Sequence, residues 1–89
     1  MKKEEIIREI ENRVNRSKEP KYSHWTVGIT NDPERRKKEH EIENHDTKFW
    51  MNWKTDSETI ARDVEKYFLN KEMKGDTGGG ERPTWVYIF

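Results

Sequence analysis

Arg36 and His40 stand four residues apart within Trp25–His40, WTVGITNDPERRKKEH, a spacing that projects two side chains from one face of a helix. Arginine offers an oxyanion a planar fork of N–H donors, and an imidazole titrates near neutral pH. Presented together just beyond a strand end, the pair reads as a site. Arg35, Lys37 and Lys38 beside it add the local positive charge that a phosphate backbone attracts.

The elements that must position this pair are legible around it. Trp25, Val27 and Ile29 alternate with Thr26, Gly28 and Thr30, the period of two of a strand with one apolar face. Asn31 or Asp32 then caps a helix, Pro33 suits its first position because a missing N–H costs nothing there, and Glu34 complements the positive helix end. The helix runs to about Glu43 and breaks at Asn44-His45-Asp46. Ile42 is its only aliphatic residue, so most of its surface is solvated and low local stability is expected.

The rest of the chain supplies the body. From Lys3 to about Arg16, Ile6, Ile7, Ile10 and Val14 form a narrow amphipathic helical stripe, which either joins the domain or mediates self-association. Ser17–Lys21, around Pro20, reads as a linker, which divides the chain into an N-terminal helix over 1–21 and a domain over 22–89. Thr47–Thr55 places Phe49, Met51 and Trp53 on one face of a second strand. Thr55 with Glu58 matches a capping box, with Asp56 or Ser57 as alternative caps. A helix follows to about Lys74 on Ile60, Ala61, Val64, Phe68 and Leu69, ended by Gly75 in a left-handed turn. Asp76–Pro83, with three consecutive glycines, reads as a flexible loop and not a P-loop, since the GK[ST] ending and the following helix are missing. Thr84–Phe89 is a continuous β-prone run of the kind that is covered on both faces.

Composition bounds the function. Eighty-nine residues make one small domain, and with 29% hydrophobic and 40% charged residues the apolar set must be used efficiently. Six of the ten aromatic residues lie in Phe49–Trp53 and Trp85–Phe89, which predicts an aromatic core. Eighteen basic residues balance eighteen acidic ones, so any nucleic-acid binding must be local rather than driven by net charge. There is no cysteine, hence no disulfide or thiolate zinc site, and no apolar run long enough for a membrane span. A soluble cytoplasmic protein with no membrane partner is the expectation.

The order of strand, turn, basic helix, second strand and helix, with VGITNDPERRKKEH as its most specific part, resembles the GIY-YIG nuclease superfamily over roughly Trp25–Leu69. Gly28 matches the glycine of its YIG strand, Arg36 and His40 its arginine and the residue four places on, and Ala61 and Glu65 the small residue and glutamate of its later helix. The resemblance implies a phosphodiester hydrolase, a possible Mg-dependent endonuclease: Glu65 holding one Mg²⁺ (or Mn²⁺), a tyrosine helping to activate water, and Arg36 stabilising charge on the phosphate. A carboxylate with waters suits Mg²⁺, and an arginine fork matches phosphate oxygens. Two elements of the family pattern are missing: Thr26 stands where the YIG tyrosine belongs, and no GIY strand precedes it. If Thr84–Phe89 pairs beside Trp25–Thr30, Tyr87 would stand roughly where the GIY tyrosine belongs.

The expectation is therefore an α/β domain of the α+β type: a small three-stranded sheet (Tyr22–Thr30, Thr47–Thr55, Thr84–Phe89) flanked by helices, GIY-YIG-like, with an extra N-terminal helix. Arg36, His40 and Tyr87 are the candidate catalytic residues, Glu65 the metal ligand, and Arg35, Lys37 and Lys38 the nucleic-acid contacts. The expected partner is DNA or RNA. The alternative is a non-catalytic nucleic-acid-binding or protein-interaction module.

Overall fold

The computed structural model describes residues 1–18, 20–76 and 82–89. Three helices, α1 (Lys3–Asn15), α2 (Pro33–Ile42) and α3 (Glu58–Leu69), accompany strands β1 (Thr26–Thr30), β2 (Met51–Lys54), β3 (Lys74–Gly75) and β4 (Trp85–Ile88). The result is a mixed α+β domain. The strands form one sheet in the order β2-β4-β1-β3. β4 is antiparallel to both β1 and β2, whereas β3 runs parallel to β1. Among the described residues no helix is long and apolar enough to cross a membrane.

One face of the sheet carries the core. Val27 and Ile29 of β1, Trp53 of β2, and Val86 and Ile88 of β4 meet Ala61, Val64 and Phe68 of α3. Ile6, Ile10 and Val14, the stripe of α1, are wholly buried in the same cluster. Each such side chain contributes about 1.5–3 kcal/mol, so α1 is an integral part of this body. Two polar ties fix its orientation: the Trp53 indole donates to Glu9 at 3.0 Å and the Tyr67 hydroxyl to Glu11 at 3.1 Å.

Both helix starts follow the capping chemistry in the sequence. Asp32 accepts from the Arg35 N–H with Pro33 behind it, and of the three candidates for α3 it is Ser57 that caps, accepting from Ile60. Thr55 is buried instead, its hydroxyl shared between the Ser57 and Thr84 carbonyls at 2.7 Å.

Several expectations are corrected. Among the described residues the sheet has four strands, not three. Tyr22–His24 is a 3₁₀ turn before β1, and Thr47–Trp50 precedes β2 without joining it. Phe49 therefore leaves the face of Met51 and Trp53 and stands 50% exposed. Gly75 does not end α3. Glu72 takes the left-handed conformation at φ 76°, with Met73 N–H bonded to Phe68 and Glu72 N–H to Leu69, a Schellman ending in which a glutamate fills the position glycine usually takes. The chain thus turns early enough for Lys74 and Gly75 to pair with β1. The aromatic residues do not form one core: Trp25, Trp53 and Phe68 join the apolar cluster, whereas Trp50, Tyr87 and Phe89 stack with one another, out of that cluster. The triple-glycine segment, which reads as a flexible loop rather than a P-loop, lies outside the described residues.

Candidate functional site

β1 and β4 pair in a register that sets Gly28 opposite Tyr87. Side chains alternate across a strand. Val86 and Ile88 enter the core cluster, so Tyr87 takes the other face, and it is almost fully buried there. A Cβ on Gly28 would overlap the Tyr87 hydroxyl and ring. The glycine is required by this close approach, which lets the phenol lie flat over β1 and reach toward α2. Trp50 closes the other side, stacked on Tyr87 at 4.4 Å between centroids and 10° between planes.

α2 presents Arg36 and His40 to this phenol from one face, as their spacing requires. Arg36 Nε lies 3.4 Å from the Tyr87 hydroxyl, and His40 Nε2 also lies 3.4 Å from it. The group that joins all three is Asp76. Arg36 Nη2 reaches its two oxygens at 2.9 and 2.8 Å, Arg36 Nε donates at 3.2 Å, His40 Nε2 lies 2.8 Å from Oδ2, and Tyr87 donates to the same oxygen. Arg36 Nη1 binds Glu39 at 3.2 Å.

This cluster is also what holds α2 in place. Ile42, its one aliphatic residue, is 81% exposed, while His40 is 2% exposed and is the only residue of the helix that is fully buried. A helix with no apolar stripe has little hydrophobic reason to dock. Charge-assisted bonds from Arg36 and His40 to a shielded carboxylate take over that task.

The electrostatics follow from burial set against these bonds. Burial alone would push the Asp76 carboxyl up, but hydrogen bonds from Tyr87, Arg36 and His40 outweigh it and hold the group below the ordinary carboxylate range. Tyr87 is pushed up, by burial first and then by bonding to the Asp76 anion. Burial opposes the Arg36 charge, yet its bonds to Tyr87, Asp76 and Glu39 raise its pKa further. The cluster is thus a cation and an anion locked together, with a neutral phenol between them.

Glu65, the residue singled out as a metal ligand, lies on α3 outside this network. Among the described residues it makes no hydrogen bond or ion pair; its neighbour Arg62 binds Glu58 at 2.8 Å. Its carboxyl is nevertheless pushed up, chiefly by burial and further by the Asp76 charge, against a partial offset from Arg62. A carboxylate that is half-desolvated, near a second negative charge and uncommitted suits a hard divalent cation, and Mg²⁺ needs only one or two carboxylates with water completing its shell. Among the described residues Glu65 belongs to no group of three metal-ligating side chains, so an ion there would rest on this one carboxylate and water.

A groove of about 940 Å³ opens beside the cluster, with His40, His45 and Asp76 among its lining. Its basic residues are Arg13, Arg16, Lys18 and Lys74, and Phe49 and Phe89 add aromatic surface. Arg13 stands over the Phe49 ring at 5.6 Å. Arg35, Lys37 and Lys38 are not part of this lining; Arg35 bonds Asn31 at 3.0 Å, and Lys38 is exposed. The structure brings together Arg36, His40 and Tyr87 of the expected site and leaves these three basic residues outside it.

Asp76 is the residue that sequence reasoning missed. It borders a glycine-rich stretch that reads as a loop, and its partners lie 36 and 40 positions upstream, so no local pattern marks it. His45 is a second omission, passed over as part of a polar break. Comparison with family models, with curated proteins and with solved structures finds no match to this chain.

Proposed function

We propose that this domain is a rearranged GIY-YIG-like unit that acts on phosphodiester bonds of nucleic acid. The observation that supports the reading is Tyr87: it comes from the last strand in sequence, yet it lies antiparallel to the glycine strand, opposite Gly28, with its hydroxyl within reach of Arg36. In this reading Arg36 meets the phosphate oxygens, Tyr87 orients water or the attacking oxygen, and His40 positions Asp76 against both. Glu65 would hold Mg²⁺ or Mn²⁺, which supplies charge neutralisation at the phosphate when bound. The basic groove beside the cluster suits a polyanionic strand.

Asp76 imposes a condition. Its carboxylate fills the same two-point fork on Arg36 that a phosphate would use, so substrate must displace it or share the arginine. A second reading rests on that fact: with the fork filled, the groove binds nucleic acid without cleaving it.

The test is a cleavage and binding assay on single- and double-stranded DNA and RNA with Mg²⁺ or Mn²⁺ and at several salt concentrations. The nuclease reading expects metal-dependent cleavage that falls at least ~100-fold in Arg36→Ala and Tyr87→Phe, consistent with loss of a group that stabilises or transfers charge. Salt-sensitive binding with no cleavage would establish the second reading. Cleavage that survives in both variants would overturn the first.

A further inference from the structure

The end of α2 builds a second constellation that the phosphodiester reading does not use. Asn44 adopts a left-handed conformation at φ 65°, the His45 N–H bonds the His40 carbonyl at 2.9 Å, and the Asn44 N–H bonds Glu41 at 3.0 Å. This is a Schellman ending, and it returns the residue after the left-handed position to the side chain five places earlier, a contact usually made by two apolar groups. Here the two residues are histidines. Their Nδ1 atoms face each other at 2.7 Å, and the Glu43 carboxylate lies with them so that the three ligand atoms are all within 4.8 Å of one another.

The tautomer of His40 is set from its far side. Asp76, held as an anion by Arg36, accepts at 2.8 Å from His40 Nε2, which puts the ring proton on Nε2 and leaves a lone pair on Nδ1. A carboxylate that orients a histidine in this way is the usual outer support of a metal-ligating imidazole. Nδ1 then directs its lone pair at His45, and either a proton or a metal ion must lie between the two nitrogens. The helix end adds the negative pole of its dipole, and Phe89 packs on His40 with 4.5 Å between ring centroids, shielding the buried ligand.

We infer that His40, His45 and Glu43 form a binding site for a divalent transition-metal ion of the Zn²⁺, Co²⁺ or Ni²⁺ class. Two imidazoles and one carboxylate select such an ion over Mg²⁺, which prefers oxygen ligands alone. Metal–nitrogen bonds of about 2.0–2.1 Å at a tetrahedral angle separate two nitrogens by roughly 3.3 Å, so the pair must open by about 0.6 Å. His45 and Glu43 are exposed and free to make that adjustment, whereas His40 is fixed. On binding, His45 turns its Nδ1 lone pair to the ion, and the proton that lay between the two nitrogens moves to His45 Nε2 or to solvent. Three protein ligands leave at least one coordination position open, and His40 and His45 both border the basic groove. The ion would therefore face whatever enters there. This site is distinct from the Mg²⁺ position assigned to Glu65 and stands whether or not the domain cleaves nucleic acid.

The experiment is a titration of the full chain, freed of metal by a chelator, with Co²⁺, read by its d–d absorption, with Zn²⁺ as competitor. One equivalent of Co²⁺ is expected to develop the intense bands of four- or five-coordination and to be displaced by Zn²⁺ but not by a hundredfold excess of Mg²⁺. His45→Ala, an exposed change that spares the core, should abolish the bands. Asp76→Asn should weaken binding about 10- to 100-fold by releasing the orientation of His40. Glu65→Gln and His24→Ala should leave the spectrum intact. Weak bands of octahedral Co²⁺ only, or strong bands that persist in His45→Ala, would overturn the assignment.

Discussion

Gly28 and Tyr87 face each other across the β1–β4 pair, and the phenol occupies the space that any Cβ on Gly28 would need. The smallest substitution there is therefore an overpacking change at the centre of the site. Gly28→Ala is expected to cost about 1–3 kcal/mol and to lift Tyr87 from Asp76 and Arg36. Chemical denaturation would read the first effect, and the shift of the Tyr87 ring resonances on loss of Trp50 stacking would read the second. Unchanged ring shifts would show that the close approach does not fix the phenol.

Asp76 carries the docking of α2. Its contribution to stability is complete above the ordinary carboxylate range, because the folded-state value lies below the unfolded one, and is lost as pH falls through the lowered value. Asp76→Asn should remove that acid-side dependence and lower stability by roughly 1–3 kcal/mol, since it takes the two-point carboxylate from a shielded arginine and leaves it the more exposed Glu39. Amide exchange should accelerate most in Pro33–Ile42. A uniform acceleration across the domain would show that α2 is not held separately.

Glu65 carries the opposite sign. Its folded-state pKa is raised, so its contribution is favourable below the unfolded value and lost as pH rises through the folded one. Glu65→Gln should therefore stabilise the protein at neutral pH, with the gain vanishing as the solution is acidified. The same substitution should remove any stabilisation by Mg²⁺ measured in a thermal melt. Equal stability of the two proteins at neutral pH would contradict the strained-carboxylate description.

The left-handed residue after α3 is Glu72 rather than a glycine. Glu72→Gly relieves a backbone penalty of about 1–2 kcal/mol and gives back part of it as unfolded-chain entropy. A net gain of about 0.5–1 kcal/mol is expected, seen as a rise in Tm of roughly 4 °C. A fall in Tm would mean that the Glu72 side chain supplies something beyond the turn.

Much of this protein is local and therefore determined by the sequence alone. Asp32 and Pro33 start α2, Ser57 is one of the caps foreseen for α3, and the stripe of Ile6, Ile10 and Val14 makes a helix with one buried face. Alternation in Val27–Ile29 makes a strand, and i, i+4 spacing puts Arg36 and His40 on one face. Even the candidate tyrosine could be named, because a β-prone run with Tyr87 at its centre can supply a missing strand. The tertiary structure decided what depends on distant partners. Asp76 acquires its role only when β3 pairs parallel to β1 and brings the carboxylate under Arg36 and His40. Glu72 could end α3 early because packing of Met73 and pairing of Lys74 with β1 offset a backbone cost that local propensity counts against it. His45 reaches His40 through a left-handed Asn44, a turn that makes a polar break into the proposed metal site. Local propensity reports what a segment can do at low cost, whereas a site is made where separate segments share a buried charge, and that meeting has no local signature.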